Sequence, residues 1–101
     1  MERNNGELGE SIVGKMRREV GQVLSDRKSL GAGQKVELMR YGRFDAFCEF
    51  IEELSYSPGQ RANLISRLDA ELLNGLMVDT HCPSLFIERV KKTIDLLRRR
   101  G

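Results

Sequence analysis

Tryptophan is absent from this chain of 101 residues, proline and cysteine occur twice each, and aromatic residues make up only 6%. Two thiols, Cys48 and Cys82, cannot build the disulfide framework that staples small secreted domains. The opening stretch MERNNGELGE lacks the basic-then-apolar run of a signal peptide. The expectation is an intracellular protein, cytoplasmic or nuclear and not secreted, with reduced thiols. No apolar run approaches the roughly 18 residues that crossing a bilayer demands, so a protein that is soluble or at most peripheral, with no membrane partner, is expected. Alternating apolar and polar stretches, internal repeats and low-complexity linkers are missing as well, which argues against strands and against several domains. Nor is there a glycine-rich phosphate loop or a paired metal-ligand spacing of the C-x2-C or H-x3-H kind. No metal, no cofactor and no enzymatic activity are therefore expected.

What remains is helical. With 40% hydrophobic and 32% charged residues the composition is that of a folded globular protein. Leu8, Ile12, Val13, Met16, Val20, Val23 and Leu24 recur at helical spacing and predict a helix over 9–26, with residues 1–8 a flexible terminus. Gly14 and Gly21 lie on one side of it, and each costs about 1 kcal/mol relative to Ala in a helix interior. Either this helix is marginal or another backbone approaches it on that side, and a homodimer that could use it would add stability to so short a chain. A second helix over 34–54 places Val36, Met39, Phe44, Phe47, Cys48, Ile51 and Leu54 on one face, with Tyr41-Gly42 as a candidate break. Phe47→Ala is expected to cost on the order of 3 to 5 kcal/mol if the ring is fully buried.

The sharpest boundary is Ser57-Pro58-Gly59-Gln60, in which serine suits the N-cap, proline the first helical position and Gln60 the reciprocal bond of a capping box. The helix that follows carries Ile65, Leu68, Leu72 and Leu76 with Leu64 and Leu73 beside them, running to about residue 77 or ending at Asn74-Gly75. Pro83 then opens a last helix whose apolar face is Phe86, Ile87, Val90, Ile94 and Leu97 and whose charged face is Lys91, Lys92, Arg98 and Arg99. The pattern predicts an all-α fold: one domain over 1–101, a compact bundle of four to five short amphipathic helices, packed around Phe44, Phe47, Ile51, Ile65, Leu68, Leu72, Phe86, Val90 and Ile94.

Charge is balanced in sum and segregated in place. Seventeen basic and fifteen acidic residues leave +2, too little to imply polyanion binding by itself. Six cations stand against two carboxylates after Pro83, however, whereas Asp45, Glu49, Glu52 and Glu53 make the middle acidic. Lys15, Arg17 and Arg18 on the first helix and Lys35, Arg40 and Arg43 on the second add further cations, and a guanidinium suits phosphate. If these merge into one surface, the chain is a small regulatory protein that binds RNA or DNA backbone. Its phosphate contacts would be Arg17, Arg18, Arg40, Arg43, Lys91, Lys92 and Arg98. The alternative is a protein-interaction module that uses the acidic helix face or an apolar groove to bind a partner.

His81 and Cys82 are adjacent, which suits chelation of one ion poorly, and Cys48 sits on the apolar stripe, where a structural thiol is expected. The run Phe44-Asp45-Ala46-Phe47-Cys48-Glu49 resembles a helix of caspase-recruitment domains, and Ala46-Phe47-Cys48-Glu49-Phe50 is similar to part of a helical RNA-silencing suppressor of nodaviruses. The first resemblance implies a six-helix adaptor, although few residues precede the motif. The second implies a helical dimer lying along double-stranded RNA, although Pro58 interrupts where its long helix should continue.

Overall fold

The computed structural model describes residues 3–30, 33–74 and 84–100. Among them are four helices and no strand: α1 (Arg3–Leu30), α2 (Gly33–Glu53), α3 (Pro58–Asn74) and α4 (Ser84–Arg100). The all-α bundle is the expected one. Its boundaries differ in two places. α1 starts at Arg3 and runs for 28 residues, taking in most of the stretch expected to be a flexible terminus. α2 continues through Tyr41-Gly42 without a break, because Tyr41 and Phe44 on either side both pack on Phe86 of α4 and hold the helix across the glycine. Gly75, Met77, His81, Cys82 and Pro83 lie outside the described residues.

α3 begins as its sequence requires. The Ser57 amide donates to Gln60 Oε1 at 3.0 Å, and the Gln60 amide donates to Ser57 Oγ at 3.1 Å, a reciprocal capping box. The other end of the same turn closes α2. Its last turn has no basic residue to meet the exposed carbonyls, and two distant side chains supply donors instead. The Tyr56 hydroxyl donates to the Ile51 carbonyl at 2.6 Å, and Arg100 of α4 donates to the Glu52 carbonyl.

α1 packs on α2 and α3, and α4 packs on the same two helices, so the order around the bundle is α1, α2, α4, α3. The short connection between α2 and α3 predicts neighbours, yet the two make little contact and α3 lies diagonally across. At Gly9 an added Cβ would stand 2.5 Å from the side-chain Oδ1 of Asn63 and 2.9 Å from Cδ of Arg67, so glycine leaves room for these two α3 side chains against α1. Within the chain no helix approaches α1 at Gly14 or Gly21: Gly14 meets only the end of Arg18, and Gly21 has nothing within 4 Å.

The core joins Ile12, Val13, Met16, Val20 and Val23 of α1 to Phe44, Cys48 and Ile51 of α2, Leu64 and Leu68 of α3, and Phe86, Val90, Ile94 and Leu97 of α4. Phe44 and Phe86 pack at 4.8 Å between ring centroids, with Tyr41 edge-on to Phe86 at 5.7 Å. Phe47, Ile65 and Leu72, expected inside, are only partly buried against this core. Phe47 sits at the α1–α2 edge, its ring 5.2 Å from Lys15 Nζ, so the fully buried Phe44 and Phe86 take the place expected for it.

Candidate functional site

The seven cations expected to form one phosphate-binding surface stand on three helices, of which α1 and α4 are diagonal to one another. Carboxylates hold three of them. Arg17 donates to Glu71 Oε1 of α3 through Nε at 3.0 Å and through Nη2, and the hydrogen bond and charge of Glu71 raise the guanidinium pKa. Arg98 reaches Asp69 Oδ2, also of α3, at 2.6 Å, and Lys91 reaches Glu88 at 3.3 Å along its own helix. Arg40 is half-buried and already engaged. Three remain exposed without an ion pair among the described residues: Arg18 on α1, Arg43 on α2 and Lys92 on α4. The Lys15 ammonium lies 4.0 Å from Glu19, Arg99 pairs with Asp95, and the side chain of Lys35 lies outside the described residues.

One cation goes inside. Arg89, counted by its sequence among the basic residues of the last helix, is only 5% exposed and lies between α4 and α2. Its Nε donates to Asp45 Oδ1 at 2.5 Å and its Nη1 to Glu52 Oε2 at 2.7 Å and to Thr93 Oγ1 at 3.0 Å. The Thr93 hydroxyl in turn donates to Glu52 Oε2 at 2.7 Å. Burial would push the Glu52 carboxyl up, but the hydrogen bonds from Arg89 and Thr93, with the charges of Arg89 and Lys92, hold it below its ordinary range. Beside this cluster lies the Cys48 thiol, pushed by burial up to about 11 and hence protonated at neutral pH. The arrangement satisfies its own charges and fixes α4 against α2: sliding either helix by one turn would strand a buried guanidinium without its carboxylates.

The opposite side of α2 sets large apolar side chains in water among the exposed charges of Arg43, Glu49 and Glu53. Leu38, Met39 and Phe50 are 63%, 71% and 58% exposed, with Gly42 and Ala46 exposed among them. Met39, Gly42, Ala46, Glu49 and Glu53 follow at steps of three and four, a continuous face on the helix exterior, with Arg43 and Phe50 along one flank. The sequence pattern places Met39 on the buried face, and the structure places it outside. A signal was present: Asp45 and Glu52 share the phase of Phe44, Cys48 and Ile51, so a core face drawn through those three residues brings carboxylates inside and turns Met39 out.

Among the described residues no group of three or more His, Cys, Asp or Glu is placed to hold a metal ion, and no helix is long and apolar enough to cross a membrane. No protein-family model, curated protein or solved structure matches this chain. The six-helix and long-helix arrangements implied by the two short resemblances differ from what is found, namely four helices among the described residues and an α2 that ends at Glu53.

Proposed function

We propose that the protein is a non-enzymatic helical interaction module acting inside the cell, whose binding surface is the outward face of α2. One observation carries this reading: large apolar side chains, Met39 and Phe50, stand in water on a helix whose charged side chains Asp45 and Glu52 point inward. Exposed apolar surface on a helix costs free energy until a partner covers it, and an amphipathic helix face is a common docking element. The photo-reactive residue p-benzoylphenylalanine in place of Phe50 is expected to form protein adducts in the producing cell. The same residue in place of Ser66, exposed on α3, is expected to form few. Equal labelling from both positions, or none, would remove the reading.

A second reading keeps RNA or DNA as the partner, favoured by the exposure of Arg18, Arg43 and Lys92. Phosphate contacts of this kind weaken steeply with salt. Titration with single- and double-stranded RNA and DNA at two salt concentrations separates the two. Salt-sensitive binding lost in Arg18→Glu and Lys92→Glu, and unchanged in Phe50→Ala, would put the nucleic acid first.

A further inference from the structure

We infer that two copies of this chain exchange halves, residues 58–100 of one packing on residues 3–53 of the other, with the connection 54–57 as the hinge. The exposed face of α2 takes no part in the exchange and stays outside in both arrangements, so the exchange goes beyond the reading above and is tested separately from it. Helix directions define the halves. Phe86 packs on Phe44, Thr93 binds the Glu52 carboxylate and Arg100 binds the Glu52 carbonyl, so α4 runs parallel to α2. Gly9 meets Asn63 and Arg67, and Arg17 meets Glu71, so α1 runs parallel to α3. Each parallel pair therefore joins one helix of 3–53 to one helix of 58–100.

The two halves meet as partners do. Residues 3–53 supply Arg17 to the buried Glu71 of 58–100, and 58–100 supplies Arg89 and Thr93 to Asp45 and the buried Glu52 of 3–53. Each half thus satisfies a charge that the other buries, and none of these contacts requires both halves to belong to one chain. The connection, by contrast, works against closure within one chain. The Leu54 amide still donates to the Ile51 carbonyl at 3.4 Å and Ser57 already caps α3, so the diagonal is crossed in the steps from Leu54 to Ser57. Those steps reach about 10 to 11 Å when extended, against about 11 to 14 Å between the axes of diagonal helices. A link that only just spans its sites lowers the effective concentration of its own partner half, and a short hinge without slack invites exchange between copies. Since α2 and α3 touch little, opening the chain between them gives up few contacts.

Refolding the full chain from urea at low and at high concentration tests this, with the mass read by light scattering after size exclusion. Dilute refolding is expected to give the monomer. Concentrated refolding is expected to give a species of twice that mass, which persists after dilution because separating the halves means breaking the core. Tagged and untagged chains should co-purify when refolded together and should not when folded apart and then mixed. Inserting Gly-Ser-Gly-Ser after Ser55 should supply the missing slack and return the concentrated sample to the monomer. A monomer after refolding at every concentration, free pairing between chains folded apart, or a dimer that the insertion leaves unchanged would each overturn the inference. Adducts from position 50 report on the α2 face whichever way the exchange turns out, so the two readings fail by different results.

Discussion

Two sides of one helix carry opposite chemistry to the one expected of them. The side of α2 that meets α4 contains Asp45 and Glu52, folded around Arg89 and Thr93, while the side that meets water contains Leu38, Met39 and Phe50. The first arrangement stabilises the bundle only as a complete set, since a buried charge without its partner is costly. The second contributes nothing to the isolated bundle. The comparison teaches that burial and polarity can be exchanged on a helix when the inward charges satisfy one another. It also separates the two sides by experiment: one should govern stability and the other association.

The largest effect should come from breaking the inner side. Arg89→Ala leaves Glu52 buried without its guanidinium and should cost about 3 to 5 kcal/mol, read by urea unfolding. Exchanging Arg89 for Met together with Glu52 for Leu should recover most of that loss, because the buried carboxylate goes with the cation; Asp45 is partly exposed and can be hydrated. If Arg89→Ala were neutral, the cluster would not be holding α4 on α2. The same pair sets the acid limb of stability. Glu52 has its carboxyl pKa lowered in the folded state from the ordinary 4.5, so its contribution is full above that value and is lost as pH falls through the lower folded one. Acid unfolding of the unaltered chain should steepen in that window, and the Arg89→Met, Glu52→Leu double variant should lose that part of the dependence.

Aromatic residues sharpen the contrast at similar or smaller size. Phe86, enclosed by Phe44 and Tyr41, should cost about 3 to 5 kcal/mol on replacement by Ala. Phe50, largely in water, should change the stability of the monomer by less than about 0.5 kcal/mol on the same replacement. Thermal unfolding at high dilution compares the two. A large loss from Phe50→Ala at that dilution would mean that its ring is packed inside the bundle, and the outer side of α2 would no longer be a free surface.

Much of this was legible in the residues, and the failures have physical causes. α4 reads correctly because its apolar positions keep strict helical phase and its cations mostly lie opposite; Arg89 escapes because nothing local distinguishes a cation that will meet two carboxylates of another helix. The capping box at Ser57 and Gln60 is local chemistry and reads directly. α2 reads badly since its apolar residues surround the helix, so the choice of inward face depends on which neighbour supplies Arg89. The packing of α3 side chains at Gly9 is likewise a contact between residues 54 and 58 positions apart, which no local pattern announces. Of the seven proposed phosphate contacts, the spacing could not tell that Arg17 and Arg98 meet Glu71 and Asp69, because pairing across helices has no period in the sequence.

The smallest effect concerns glycines, and it tests where α2 is special. Gly21 is exposed on α1 with nothing within 4 Å of an added Cβ, so Gly21→Ala should only relieve the cost of glycine in a helix and stabilise the chain by about 0.5 to 1 kcal/mol. Gly42 is equally open in the monomer, and Gly42→Ala should stabilise the dilute chain by a similar small amount. The two should part company on binding. Gly42 lies on the exposed face of α2 proposed to bind a partner, so a bulkier Gly42→Leu change should alter association with that partner while leaving the dilute unfolding curve near that of Gly42→Ala. Gly21→Leu, on α1 and outside that face, should leave the association unchanged. If instead Gly21→Leu abolished association and Gly42→Leu did not, the binding surface would belong to α1, on the side of Gly14 and Gly21, and not to the exposed face of α2.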